Sequence, residues 1–247
     1  MRVSIITAVF NGQDSIEATL ASVSSQDYAD IEHVVIDGAS TDGTLHVVRR
    51  ADNPRLRAYS EKDTGVYQAF NRGLRQATGD VIVFLNSGDV YRTASAVSAM
   101  IKVLTQSNVD AAFGDVAIVN AEKSGRMVRR YSSRRFQPGR LSYGLMPAHP
   151  ALFIRRKVYE VVGEYDEGYR IAGDFEFCVR AFVTHGITFK YVPELLVSMP
   201  TGGLSNRGWR SKWEITLEMR RACRNNGLMS SLPKLCIRFP LKLLEFF

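Results

Sequence analysis

Aspartates placed just after apolar runs are the residues of this chain best suited to chemistry. Val81-Ile82-Val83-Phe84-Leu85 ends on Asn86-Ser87-Gly88-Asp89, and His33-Val34-Val35-Ile36 ends on Asp37-Gly38-Ala39-Ser40-Thr41-Asp42-Gly43-Thr44. In open α/β sheets, ligands bind beyond the carboxyl ends of the strands. A carboxylate there can hold a divalent metal, and two acidic turns in one half of the chain suit a nucleoside diphosphate bound through that metal.

The elements needed to place these turns are legible as an alternation of periods. Strands are expected over 3–9, 33–36, 56–60 and 81–85, and helices over 15–25, 43–50, 66–76 and 94–106. That is the βαβ order of a mostly parallel sheet covered on both faces. Farther on, 111–119, 127–131 and 151–154 read as strands and 174–185 as a helix with Phe175, Cys178 and Phe182 on one face.

Composition bounds the function classes. At 247 residues and 45% hydrophobic, the chain can bury a full core and suits one α/β domain with a tail. The three cysteines, Cys178, Cys223 and Cys236, contain no C-x-x-C pair, which argues against a disulfide framework or a zinc site and fits a reducing cytosol. The first apolar run is too short for a secretory signal, and no segment reaches the length of a membrane span.

The net charge of +7 is unevenly placed, because residues 207–247 carry nine basic and three acidic side chains. The last part of this tail interleaves its cations with Leu, Ile and Phe, which suits an anionic membrane surface; packing back onto the domain is the alternative. A second basic stretch, 123–140, holds seven Lys/Arg and no acid. It reads either as a solvated loop or as a face for an anionic acceptor or membrane.

The phosphate cradles of other nucleotide folds are missing. The turn after the first strand is Asn11-Gly12-Gln13, not G-x-G-x-x-G, and no G-x-x-x-x-G-K-[ST] occurs. Three ordered motifs stand instead: D-G-A-S-T-D-G-T at Asp37, D-T-G-V-Y-Q-A-F-N-R-G at Asp63 and F-L-N-S-G-D at Phe84. With them the chain resembles the family 2 glycosyltransferases of GT-A fold, in particular a bacterial exopolysaccharide and colanic-acid-type branch. The likeness runs over about residues 1–206, through H-P-A-L-F at His149, A-G-D-F-E-F at Ala172 and G-G-L-S at Gly202. It implies a single Rossmann-like GT-A domain over 1–206 and a basic, amphipathic helical extension over 207–247.

The resemblance also assigns roles. Asp37 would contact the nucleotide base and Asp63 the base or ribose, with Thr7, Asn11 and Asn71 also in the donor site. Ser40, Thr41 and Asp42 would cap the following helix whatever the function. Asp89 matches the last acid of the family's metal motif and would hold Mg²⁺ or Mn²⁺, although Asn86 and Ser87 stand where many relatives have further aspartates. Asp174 matches the general base, with helix capping as its alternative, and Glu176 could instead pair with Arg180 at i,i+4. His149 would line the acceptor or phosphate pocket or serve structure, and Gly202, Gly203 and Ser205 belong to a loop over the donor phosphates.

The expected activity is an inverting, metal-dependent transfer from a nucleotide-diphosphate sugar to a polyprenyl-diphosphate-linked glycan. It would take place at the cytosolic face of an anionic membrane, without nucleic acid. A polyprenyl-phosphate sugar synthase shares the donor chemistry. A non-catalytic, basic membrane-binding protein explains the tail but leaves Asp37, Asp89 and Asp174 without purpose.

Overall fold

The computed structural model describes residues 1–120, 126–202 and 208–243. A nine-stranded sheet runs through it, with the parallel order β3-β2-β1-β4 at one side. These strands are β1 (Val3–Val9), β2 (Ile31–Asp37), β3 (Leu56–Ser60) and β4 (Val81–Phe84). Next to β4 lies β8 (Leu152–Arg155), antiparallel both to it and to β6 (Ala111–Val119), while β9 (Phe189–Pro200) runs parallel to β6. Six strands therefore point one way. Only β8 and the short β5 (Val90–Tyr91) and β7 (Met127–Tyr131) oppose them, so the sheet is mostly parallel, as expected.

Helices cover both faces, and strand alternation explains how. Ile6 of β1 packs with Phe70 and Leu74 of α3 (Val66–Gln76), whereas Val3 and Ile5 pack with Met100 and Leu104 of α4 (Ala96–Ser107). A third cluster joins Val9 and Val35 to Ile16 and Leu20 of α1 (Gln13–Ser24) and Val48 of α2 (Thr44–Arg50). Each such side chain contributes roughly 1.5–3 kcal/mol on burial, so these faces rather than helix propensity fix the elements.

Neither α5 (Arg156–Val162) nor β9 is evident from the sequence pattern, and in place of a single helix over 174–185 the chain forms α6 (Gly173–Val179), continued by a π-helical segment over Arg180–Thr184.

The C-terminal extension forms α7 (Gly208–Asn225), α8 (Leu232–Cys236) and α9 (Arg238–Leu243). Its inner face joins the core: Met219, Ala222 and Cys223 of α7 and Leu235 of α8 belong to the same cluster as Phe175 and Cys178. Arg238 is also buried, donating to Thr216 Oγ1 at 2.7 Å and to the Leu235 carbonyl at 3.1 Å. No helix among the described residues is long and apolar enough to cross a membrane.

Candidate active site

Because β1, β2, β3 and β4 are parallel, their carboxyl ends share one edge of the sheet, and the turns that leave them meet there. At the end of β2, Asp37 is buried. Its Oδ2 accepts from the Ser40 backbone N–H at 3.1 Å and from Ser60 Oγ at 2.6 Å, and Oδ1 has no hydrogen-bond partner among the described residues. A buried carboxylate oxygen without a donor is costly, and an N–H or hydroxyl of a bound ligand would satisfy it. Asp63 approaches from the next turn, with Oδ2 2.7 Å from where a Cβ on Gly38 would lie. Burial raises the pKa of Asp63 and the nearby Asp37 adds to the rise, while Arg72 opposes it.

Asn11 bridges the first two turns. In the left-handed region at φ 47°, it donates its N–H to Ser40 Oγ at 2.8 Å and accepts the Thr41 N–H on Oδ1 at 2.8 Å. Asp42, one residue before the N-cap Gly43, accepts the Thr44 N–H at 2.9 Å and the Gln13 N–H at 3.1 Å, so it holds the first amide of α2 and ties that helix to the first turn.

Thr7 and Asn71 do not face the opening. Thr7 is fully buried beneath it, donating to the Leu85 carbonyl at 2.7 Å and lying 2.9 Å from His33 Nε2. With its one hydrogen spent on Leu85, Thr7 must accept from Nε2–H, and burial holds His33 neutral with a pKa near 3. Asn71 gives Nδ2 to the Tyr165 carbonyl and Glu167 Oε1 and takes the Tyr165 N–H on Oδ1, all at 2.9 Å. The structure thus makes Thr7 a strut and Asn71 a tether of the 165–167 turn, because their polar atoms are committed internally.

The turn after β4 carries the candidate metal ligands. Asp89 is buried and its carboxyl is pushed up to about 8 by desolvation, against the effect of a backbone hydrogen bond at Asn86. Asn86 Oδ1 is buried without a hydrogen-bond partner among the described residues. A divalent cation fits this donor set, since it would balance the first charge and occupy the second oxygen. No group of three or more His, Cys, Asp or Glu that could hold a metal occurs among the described residues. Diphosphate and water oxygens would therefore complete the shell. Gly88 makes the turn possible with φ 95° and lies against Pro200 at the end of β9. Ser87 Oγ contacts Ser15 Oγ at 2.8 Å, tying the turn to α1. Gly202 follows β9 in a left-handed turn at φ 108°; Gly203 and Ser205 lie outside the described residues.

Asp174 stands in the first turn of α6. Its Oδ1 accepts the Phe175 N–H at 2.8 Å and faces the Tyr67 hydroxyl at 3.3 Å. Burial raises its pKa to about 6, with these hydrogen bonds holding it from rising farther. A base with that value is ionised at neutral pH yet accepts a proton readily. Glu176, two residues on, is buried in a bidentate pair with Arg180 at 2.7 and 2.8 Å. His149 is buried, neutral with a pKa near 4, bonded to the Tyr165 hydroxyl at 2.9 Å and stacked against Phe70 and Phe84, each 5.5 Å away. Its surroundings are those of a core histidine.

The glycosyl transferase family 2 profile matches residues 4–163, spanning the turns after β1, β2, β3 and β4. The chain belongs to glycosyl transferase family 2. A relative from Mycobacterium tuberculosis, a PGL/p-HBAD biosynthesis glycosyltransferase, is 31% identical over 208 residues, covering 82% of this chain and 78% of the relative. The Escherichia coli enzyme WfgD, a UDP-Glc:alpha-D-GlcNAc-diphosphoundecaprenol beta-1,3-glucosyltransferase, is 32% identical over 119 residues, 48% of this chain and 47% of that one. TarS of S. aureus in complex with UDP-GlcNAc superposes with a TM-score of 0.73 over 91% of this chain and 67% of that chain, at 19% identity. This family 2 glycosyltransferase thus has the GT-A fold.

Two contributors lay outside the sequence reading. Ser60, at the end of β3, orients Asp37 and has no signal beyond its strand-end position. Glu218 of α7 accepts the N–H groups of Arg170, Ile171 and Ala172, just before Asp174, from a helix expected only as part of a basic C-terminal extension.

Proposed function

We propose that this glycosyltransferase moves a sugar from a nucleoside diphosphate donor to a lipid-linked glycan with inversion at the anomeric carbon. One observation carries the reading: the carboxyl edge of the sheet combines two buried oxygens without a hydrogen-bond partner among the described residues, Asp37 Oδ1 and Asn86 Oδ1, with the desolvated carboxyl of Asp89. The first suits a base or ribose donor group. The other two suit a metal-bound diphosphate.

A Mg²⁺ or Mn²⁺ ion held by Asp89 and Asn86 would neutralise charge on the departing diphosphate. Asp37 and Asp63 orient the nucleoside, and Ser60 and Ser40 hold the Asp37 carboxylate for that task. Asp174 takes the proton of the acceptor hydroxyl. The hydroxyl oxygen then bonds to the anomeric carbon as the bond to the diphosphate oxygen breaks, and one such displacement inverts the centre. The lipid-linked acceptor is supported by WfgD, which acts on a diphosphoundecaprenol-linked sugar.

A location at the inner face of the cell membrane is supported by α7. Trp209, Trp213 and Leu217 recur at helical spacing and are 85%, 52% and 45% exposed, with the exposed cations Arg210 and Lys212 beside them. Glu214 is engaged by Arg170 at 3.3 Å and Glu218 by backbone amides, which leaves this face positive. Exposed tryptophans with flanking cations suit an anionic bilayer surface.

The purified protein, mixed with Mn²⁺, a bacterial lipid extract and labelled UDP-glucose, UDP-GlcNAc or GDP-mannose, tests the reading. Label entering the lipid fraction with inverted linkage is the expected result. Metal-independent label transfer, or retention of configuration, would overturn it.

A further inference from the structure

The turn that presents Asp174 is gripped from two sides. From α3, the Tyr67 hydroxyl shares its one hydrogen between the Ile171 carbonyl at 2.5 Å and Asp174 Oδ1 at 3.3 Å. From α7, Glu218 accepts three consecutive backbone N–H groups: Arg170 on Oε1 at 2.8 Å, and Ile171 and Ala172 on Oε2 at 3.0 and 2.8 Å. Neighbouring α7 residues reinforce the grip. Arg221 lies 3.8 Å over the Tyr169 ring and donates to the Gly168 carbonyl at 2.7 Å, and Glu214 pairs with Arg170.

Charge-assisted hydrogen bonds to amides are the stronger kind. Irregular backbone such as 168–172 has no ladder of its own, so its path depends on them. Only Gly173 separates Ala172 from Asp174, and any drift of the turn moves the carboxylate with it. A misplacement of about 1 Å in a reacting group can cost roughly a hundredfold in rate.

We propose that Glu218 is a positioning residue for sugar transfer, holding residues 170–172 so that Asp174 meets the acceptor hydroxyl. The proposal rests on Asp174 as the base. It assigns a task in the reaction to a helix beyond the stretch matched by the family profile. Glu218 also acts through charge. The groups that interact electrostatically with Asp174 are Tyr67 of α3, Tyr165 of the preceding loop, Cys178 of α6 and Glu218 of α7. Of these, Glu218 is the ordinarily anionic one, and it raises the pKa of Asp174.

The test compares full-length wild type, Glu218→Ala, Glu218→Gln, Asp174→Asn and the Glu218→Ala/Asp174→Asn double variant. Transfer is read with labelled UDP-glucose, UDP-GlcNAc and GDP-mannose presented together with lipid extract, binding with UDP and Mn²⁺, and local order by amide exchange over 168–175. Glu218→Ala should slow transfer about 10- to 100-fold, accelerate exchange at 170–172 and leave UDP binding unchanged. Glu218→Gln keeps one acceptor oxygen, so it should recover part of the rate. Having lost the charge, it should also shift the acid limb of the pH–rate profile to lower pH. In the Asp174→Asn background, Glu218→Ala should cost nothing further.

Unchanged transfer in Glu218→Ala would overturn the proposal, and so would a full additional loss in the double variant. If Asp174→Asn transfers normally, the base assignment fails instead, and the two failures are distinct. Should Glu218→Ala fail to fold, Glu218→Gln decides: a wild-type rate with a wild-type pH profile overturns the proposal.

Discussion

The Asp63 carboxylate occupies space that only a glycine at position 38 leaves open, with Oδ2 2.7 Å from where a Cβ would stand. The Asp-Gly pair at the end of β2 is therefore as much about Asp63 as about Asp37. A methyl group on Gly38 must displace that carboxylate. Gly38→Ala is expected to weaken UDP or GDP binding by about tenfold, ~1.4 kcal/mol, with little change in melting temperature. Calorimetry with each nucleotide and Mn²⁺ checks this, and unaltered affinity for both would remove Asp63 from the donor site.

Replacing Asp89 separates charge from shape. Asp89→Asn retains the size of a buried side chain but loses the anion that a divalent metal would balance, so Mn²⁺ should no longer strengthen UDP binding or stimulate transfer. The contact matters most as the diphosphate departs, and turnover should fall more than affinity does. Metal-stimulated transfer at the wild-type level would contradict the assignment.

The pH dependence of the rate should reveal Asp174. A base must be ionised, and its pKa is near 6, so the rate should fall about tenfold per pH unit below that value. Stability runs the other way. The folded carboxyl titrates above the ~3.9 of an unfolded aspartate, so its contribution is full below about pH 4 and is lost as pH rises through 6. Asp174→Asn should accordingly be at least as stable as wild type at pH 8 while transferring at least about a hundredfold more slowly. Thermal melts at pH 5 and 8, alongside rates, test both halves.

For α7, the double change Trp209→Ser/Trp213→Ser should abolish sedimentation with phosphatidylglycerol vesicles at low salt and preserve UDP binding. Both rings are largely exposed, so the fold has little to lose. If the variant still binds vesicles, the contact lies elsewhere. If the wild type ignores vesicles and forms a dimer that the variant cannot, the stripe serves a second copy instead.

Much of the scaffold was legible because its strands are buried on both faces and its helices keep their period. The runs at 3–9 and 81–85 are continuous Val, Ile and Phe with a few polar breaks, and the turns after them contain the Asp and Asn that end up together. What was not legible depends on partners distant in sequence. Asn71 belongs to the motif that begins at Asp63 and Thr7 to the first strand, yet their polar atoms are consumed by Tyr165 and Glu167 and by Leu85. The strand β9 carries Pro193 and Glu194 and shows no clean alternation, because it pairs with β6 on one side and β5 on the other with irregular register. The basic tail is a matter of composition, and composition does not say which way a helix turns: Leu235 and Arg238 face inward.

The pairing of β5 with β9 has a consequence for biosynthesis. Val90 and Tyr91, which follow directly on Asp89, lie opposite Ser198 and Val197 in an antiparallel pair, about 100 residues later in the chain, and Gly88 rests on Pro200. A ribosome delivers the chain from its N-terminus, so the β1–β4 unit can pair while the partner of β5 has not yet been made. Such long-range closure is slow. The nascent enzyme should therefore remain unable to bind its charged donor until the strand ending at Pro200 has emerged, which ties the onset of donor binding to synthesis through that strand.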